Sequence, residues 1–154
     1  MEYLQVKWVH ILSSTLLFGT GLGSAFYLFF TNRTQDVRAI AVISRRVVIA
    51  DWLFTTPTAI LQPVSGLYLA HLAGIPLTSS WIIWSVVLYV FAGACWLPVV
   101  WLQIRMAAMA REAAERNEFL PRLYWRYHTI WVGLGVPAFI AFLGIFYFMV
   151  VKPG

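Results

Sequence analysis

His10 stands in the stretch VKWVHILSSTLLFGTGLGSAF, one turn past Lys7 and ahead of nearly twenty residues without a charge. Hydrocarbon offers no hydrogen bonds, so an imidazole there is expensive unless protein or a ligand meets it. On a helix of 3.6 residues per turn, His10, Ser13, Ser14, Leu17, Gly21 and Ser24 fall on one face, which must turn towards other helices. A neutral imidazole can give a ring nitrogen to iron, and two at one depth on neighbouring helices make a six-coordinate b-type haem site. His71, at the far end of the second apolar run, can share the depth of His10. These two histidines are the expected metal ligands, with Ser14 and Gly21 leaving room for a flat cofactor beside the first. On an ideal helix His71 points away from the Thr55–Gln62 face, so breaks at Pro57 and Pro63 would have to turn it inward. The other reading of His71 is an interfacial histidine bonded near the adjoining turn. His128, in WRYHTIW, lies at the opposite side of the membrane and reads as a side chain facing water. Gly19 and Gly23 read as positions of close helix approach.

The second apolar run carries Asp51, Thr55, Thr58, Gln62 and Ser65 on one helical face. Pro57 and Pro63 interrupt its hydrogen bonding, so a kinked helix with freed carbonyls is expected. Gln62 is expected to bond across helices. Asp51 reads as a snorkelling carboxylate paired with Arg45, Arg46 or Arg126, in preference to a proton relay. Cys95 is the single cysteine and lies in an apolar run, so it reads as core, and no Cys-x-x-Cys-His motif exists for covalent haem attachment.

The elements that must hold these groups are membrane helices. The chain is 61% hydrophobic and 11% charged, far below the roughly 25% charged residues of soluble domains. Its 154 residues suit one domain, residues 1–154. Four runs meet the requirement of roughly 20 apolar residues per crossing: Leu4–Phe30, Val47–Ala73, Trp81–Ile104 and Thr129–Val151. The expected fold is therefore all-α, an integral membrane four-helix bundle with a kinked second helix. Nine of the eleven basic residues are arginines between runs one and two or between runs three and four; only Lys7 and Lys152 lie elsewhere. The positive-inside rule then places both termini outside. The same distribution explains the net charge of +5 by topology and removes the case for nucleic acid. The segment RMAAMAREAAERNEFLPRLYWRYH is expected to carry the third helix into the cytoplasm until Pro121, with Glu112 and Arg116 paired four residues apart.

From MEYLQVKWVHILSSTLLFGTGLGSAFYLFF through RRVVIADWLFTTPTAILQPVSGLYL to the terminal MVVKPG, the chain resembles a family of predicted bacterial integral membrane proteins, domain of unknown function 2269. It is more distantly similar to the membrane-bound, haem-containing protoporphyrinogen oxidases. Lys7, His10, Pro57, Gly66, Lys152 and Pro153 occupy comparable positions, and the resemblance implies a haem-ligand role for His10. That family's functional lysine early in the third helix has no counterpart here; Ser85 stands near it in WIIWSVVLY.

Two functions are carried forward. The first is a multi-pass protein of the bacterial inner membrane that binds haem b and transfers electrons, acting on a quinone or porphyrin-like substrate. The second is a non-catalytic membrane subunit or assembly factor of a larger complex, in which the small residues of run one and the polar face of run two pack against helices.

Overall fold

A computed structural model describes residues 1–153 and is helical nearly throughout, with no strand among the described residues. Helix α1 spans Glu2–Thr34 and ends where Gln35 turns left-handed (φ 56°), its N–H donating to the Asn32 carbonyl. Helix α2, Val37–Ala50, starts on Asp36, whose Oδ1 accepts from the Arg38 and Ala39 amides at 3.0 and 3.2 Å. Such a cap is worth about 1 kcal/mol. A single π-helical turn, Asp51–Thr55, joins α2 to α3, Thr56–Leu72. Helices α4, Ser80–Arg116, and α5, Arg122–Val151, complete the chain.

The break in the second rod is thus a π turn, and the prolines explain it. Pro57 has no N–H, and its ring crowds the carbonyl four residues earlier, that of Leu53. The extra residue of the π turn, in which the Thr56 N–H reaches back to the Asp51 carbonyl, accommodates that ring. Pro63 sits inside α3 and orphans the Ala59 carbonyl in the same way. The hydroxyl of Tyr89, on α4, donates to that carbonyl. Replacing Tyr89 by phenylalanine should therefore cost about 1 kcal/mol of stability, measurable as a lower midpoint of unfolding in detergent.

Helix α1 packs along α2, the π turn and α3, while α4 packs on α5 and on α2. The four rods alternate in direction. Arg33, Arg38, Arg111, Arg116 and Arg122 gather at one end, where Arg38 Nη2 donates to Asn117 Oδ1 at 3.1 Å. Both termini lie at the other end: the Ser80 hydroxyl donates to the Pro153 carbonyl at 3.1 Å, and Tyr68 bonds Glu2. The contiguous apolar core occupies the basic half, where Leu28, Ile40, Val47, Leu102, Met106, Tyr124 and Trp131 meet. In the half that carries the termini the rods associate chiefly as two pairs, α1 with α3 and α4 with α5.

The helices α1, α4 and α5 are long and apolar enough to cross a membrane. Their ends differ from the expected ones. α4 stops at Asn117, left-handed at φ 54°, four residues before Pro121, which instead precedes the first turn of α5. α5 begins about two turns ahead of Thr129, and α2 turns most of the first basic loop into helix. The pair Arg116–Glu112 forms as expected, at 2.9 Å on an exposed face.

Candidate functional site

His10 lies half-buried between α1 and α3, and the polar face of the second rod meets it. Its Nδ1 is 2.8 Å from the Ser65 hydroxyl, and its Nε2 is 3.3 Å from Nε2 of Gln62. The neighbours decide the tautomer. The Ser65 hydroxyl donates its proton to the Leu61 carbonyl at 2.7 Å, so towards His10 it accepts. Gln62 Oε1 accepts from the Ser13 hydroxyl, which leaves its NH2 to face the imidazole. His10 is therefore neutral, protonated on Nδ1, with its lone pair on Nε2. Gly66 completes the wall: a Cβ there would stand 3.1 Å from His10 Cε1. Replacing Gly66 by valine should push the ring off Ser65, and a shifted imidazole resonance in NMR of the labelled histidine would report it.

The structure joins His10 to Ser13, Gln62 and Ser65, and leaves the other expected members apart. His71 is exposed in the last turn of α3. It stands half a helical revolution round from Gln62, since α3 continues as one helix through Pro63. Ser14 spends its hydroxyl on the Ile11 carbonyl of its own helix at 2.7 Å, and Ser24 does the same with Gly21 at 3.3 Å. The close helix approach expected at Gly19 and Gly23 is absent: a Cβ on Gly19, Gly21 or Gly23 would meet nothing within 4 Å.

A second polar centre, in the basic half, was not legible as such. Asp51 is 4% exposed and pairs with no arginine. The expected partners Arg45, Arg46 and Arg126 all point to the surface. The carboxylate accepts instead from the Thr55 hydroxyl at 2.9 Å and from the Gln103 amide, whose oxygen accepts from Trp131 Nε1 at 3.2 Å. The Trp131 ring stacks on His128, centroids 5.7 Å apart. His128 is half-buried among Phe29, Trp125 and Trp131 rather than turned to water. Asn32, 1% exposed, donates to His128 Nδ1 at 3.0 Å and accepts from the Tyr124 hydroxyl at 2.6 Å. The signal available in the sequence was spacing: Tyr124, His128 and Trp131 recur at helical intervals and put one face of α5 towards the core.

Among the described residues no group of three or more His, Cys, Asp or Glu side chains converges where a metal ion could sit. What the centre at His10 offers is one imidazole with its Nδ1–H held by a hydroxyl and its Nε2 facing an amide that a rotation can withdraw. Histidines that ligate metals are commonly held this way, the other ring N–H donating to a fixed acceptor. His71 shares none of these partners: it is exposed and far round α3 from Gln62.

No curated protein and no solved structure matches the chain. One family model does, over residues 4–153, and on that match the chain belongs to the family described as predicted integral membrane protein (DUF2269).

Proposed function

We propose that this integral membrane protein is a haem-binding redox protein, and that His10 is the one residue of the chain that would hold the haem iron. The observation that carries the reading is the contact of His10 Nδ1 with the Ser65 hydroxyl at 2.8 Å: that hydroxyl donates to the Leu61 carbonyl, so it accepts from Nδ1–H and leaves the lone pair on Nε2. The similarity of Lys7, His10, Pro57, Gly66 and the Lys152–Pro153 tail to haem-containing protoporphyrinogen oxidases supports it. Haem, when bound, supplies the one-electron chemistry. The chain's own part would be to orient His10 through Ser65 and to withdraw the Gln62 amide from Nε2.

The same reading takes the rod Val37–Leu72 as a fourth span, because it lies antiparallel to α1 along its length. With the arginine-rich end facing the cytoplasm, both termini and His10 lie towards the outer face of a bacterial inner membrane. A quinone or porphyrin-like partner would then exchange electrons there. The test is an absorption spectrum of protein expressed with supplementary haem and purified in detergent. A Soret band that moves on dithionite reduction is expected; a folded, colourless protein after haem supplementation would sink the reading.

A second reading is favoured by one observation. Gly19 and Gly23, spaced four apart on α1, leave open space instead of seating a helix of this chain. Small residues at that spacing let a foreign helix approach closely. On this reading the protein is a non-catalytic subunit of a larger membrane complex, and co-purification of a partner lost in Gly19→Leu would distinguish it.

A further inference from the structure

The centre at the basic end contains an arrangement that the haem reading does not use and on which that reading does not depend. Asp51 is buried within the bundle and meets no cation, although this end of the molecule is rich in arginine. Arg33 on α1, Arg45 and Arg46 on α2, Arg105 on α4 and Arg126 on α5 are exposed, and Asp51 is the only acid within the rod. On the half of α5 nearest Asp51 the other titratable groups are Arg122, exposed at the helix start, His128, stacked on the Trp131 ring, Tyr124, bonded to Asn32, and Tyr127, whose ring lies against Trp101. Asp51 thus has two dipoles for company, the Thr55 hydroxyl and the Gln103 amide.

The amide is the informative member. With its NH2 towards Asp51 it serves an ionised carboxylate, and its oxygen then accepts from the Trp131 indole. Turned over, the same amide places its oxygen against Asp51 Oδ2, a contact possible only if a proton lies between the two oxygens. The oxygen-facing orientation therefore belongs to the protonated acid alone, while the NH2-facing one serves the ionised carboxylate best. A charge without a cation is costly inside a membrane bundle, and the neutral acid with the amide turned over exchanges that cost for two N–H donors, those of the amide and the indole, left facing each other. The π turn puts Asp51 at this point: π turns inside α-helices recur at functional sites, and this one is the break made by Pro57.

We propose that Asp51 and Gln103 form an exchangeable proton-binding site at the basic end of the bundle, with the Gln103 amide turning over as the proton arrives. The step balances simply. A proton from water at the basic end adds to Asp51 Oδ2, the amide rotates about its Cγ–Cδ bond, and Oε1 accepts from the new O–H. The NH2 group then faces Trp131, whose indole N–H gives up its acceptor. The bound proton is thereby registered at Trp131 and, through the stacked ring, at the His128–Asn32–Tyr124 chain.

Infrared difference spectroscopy across a pH series, on the full chain in lipid nanodiscs, tests this. The expected result is a protonated-carboxyl C=O band that disappears as pH rises and moves down in heavy water. It should be lost in Asp51→Asn and kept in Asp36→Asn. An amide C=O change of Gln103, absent in Gln103→Leu, should titrate together with it. If Asp51→Asn fails to fold, carbon-13 aspartate in the unaltered chain makes the assignment, since Asp36 and Asp51 are the only aspartates. Absence of a labelled carboxyl band throughout the folded pH range overturns the proposal, as does a carboxyl that titrates while the Gln103 amide stays still.

Discussion

Replacing Asn32 by leucine is expected to destabilise the protein by about 2–3 kcal/mol, because one amide satisfies two buried groups at once. Asn32 takes the Tyr124 hydroxyl proton and donates to His128 Nδ1, and both it and Tyr124 are sealed from the surface. Leucine fills the volume but leaves a hydroxyl and a ring nitrogen without partners in the middle of the contiguous core. Tyr124→Phe, which removes one group and leaves only the Asn32 oxygen short of a donor, should cost about half as much. Unfolding by increasing SDS in mixed micelles measures both. The Asn32→Leu midpoint should fall well below that of Tyr124→Phe, and equal midpoints would mean that the His128 bond contributes nothing. Hydrogen bonds between membrane helices average only about 0.6 kcal/mol in double-mutant cycles. The larger figure expected here rests on orphaning two groups, not on the strength of either bond.

Ser65→Ala is expected to lower haem affinity about 10–100-fold while leaving the fold intact. The hydroxyl holds the Nδ1 proton of His10 and so keeps the lone pair on Nε2. Without it the ring can change tautomer and present a protonated Nε2. Gln62→Ala acts at the other nitrogen and has the opposite sign: with the amide gone, Nε2 has no protein group to displace, and haem should bind at least as well. Titration of apoprotein with haem, followed at the Soret band, measures both variants. A Ser65→Ala curve identical to that of the unaltered protein would show that Ser65 holds nothing that matters to the ligand.

The polar face of the second rod was legible because it obeys one rule without interruption. Asp51, Thr55, Thr58, Gln62 and Ser65 keep helical spacing, and the structure turns that face inward against α1 and α4. At His71 the helical phase points away from that face, and α3 continues through Pro63 with His71 exposed. The second centre was missed for a different reason. Hydropathy ends a span where charge or polarity begins, which put the boundary of the first run at Phe30 and the start of the fourth at Thr129. Helices continue beyond the apolar window, so Asn32 and Tyr124 are helical residues facing the core, not members of loops. Asp51 was given an arginine because arginines surround it in sequence. In space a long flexible side chain gains more by reaching water than by following a carboxylate into the bundle.

The central claim is that one histidine, and not a pair, holds the haem. It is tested most directly by measuring haem content, as a Soret-to-protein absorbance ratio, in His10→Ala and His71→Ala expressed side by side with supplementary haem. The arrangement around His10 predicts that His10→Ala loses the Soret band and that His71→Ala keeps it at full intensity, since His71 is exposed and joins no partner of His10. A His10→Ala protein that retains its haem would contradict the account.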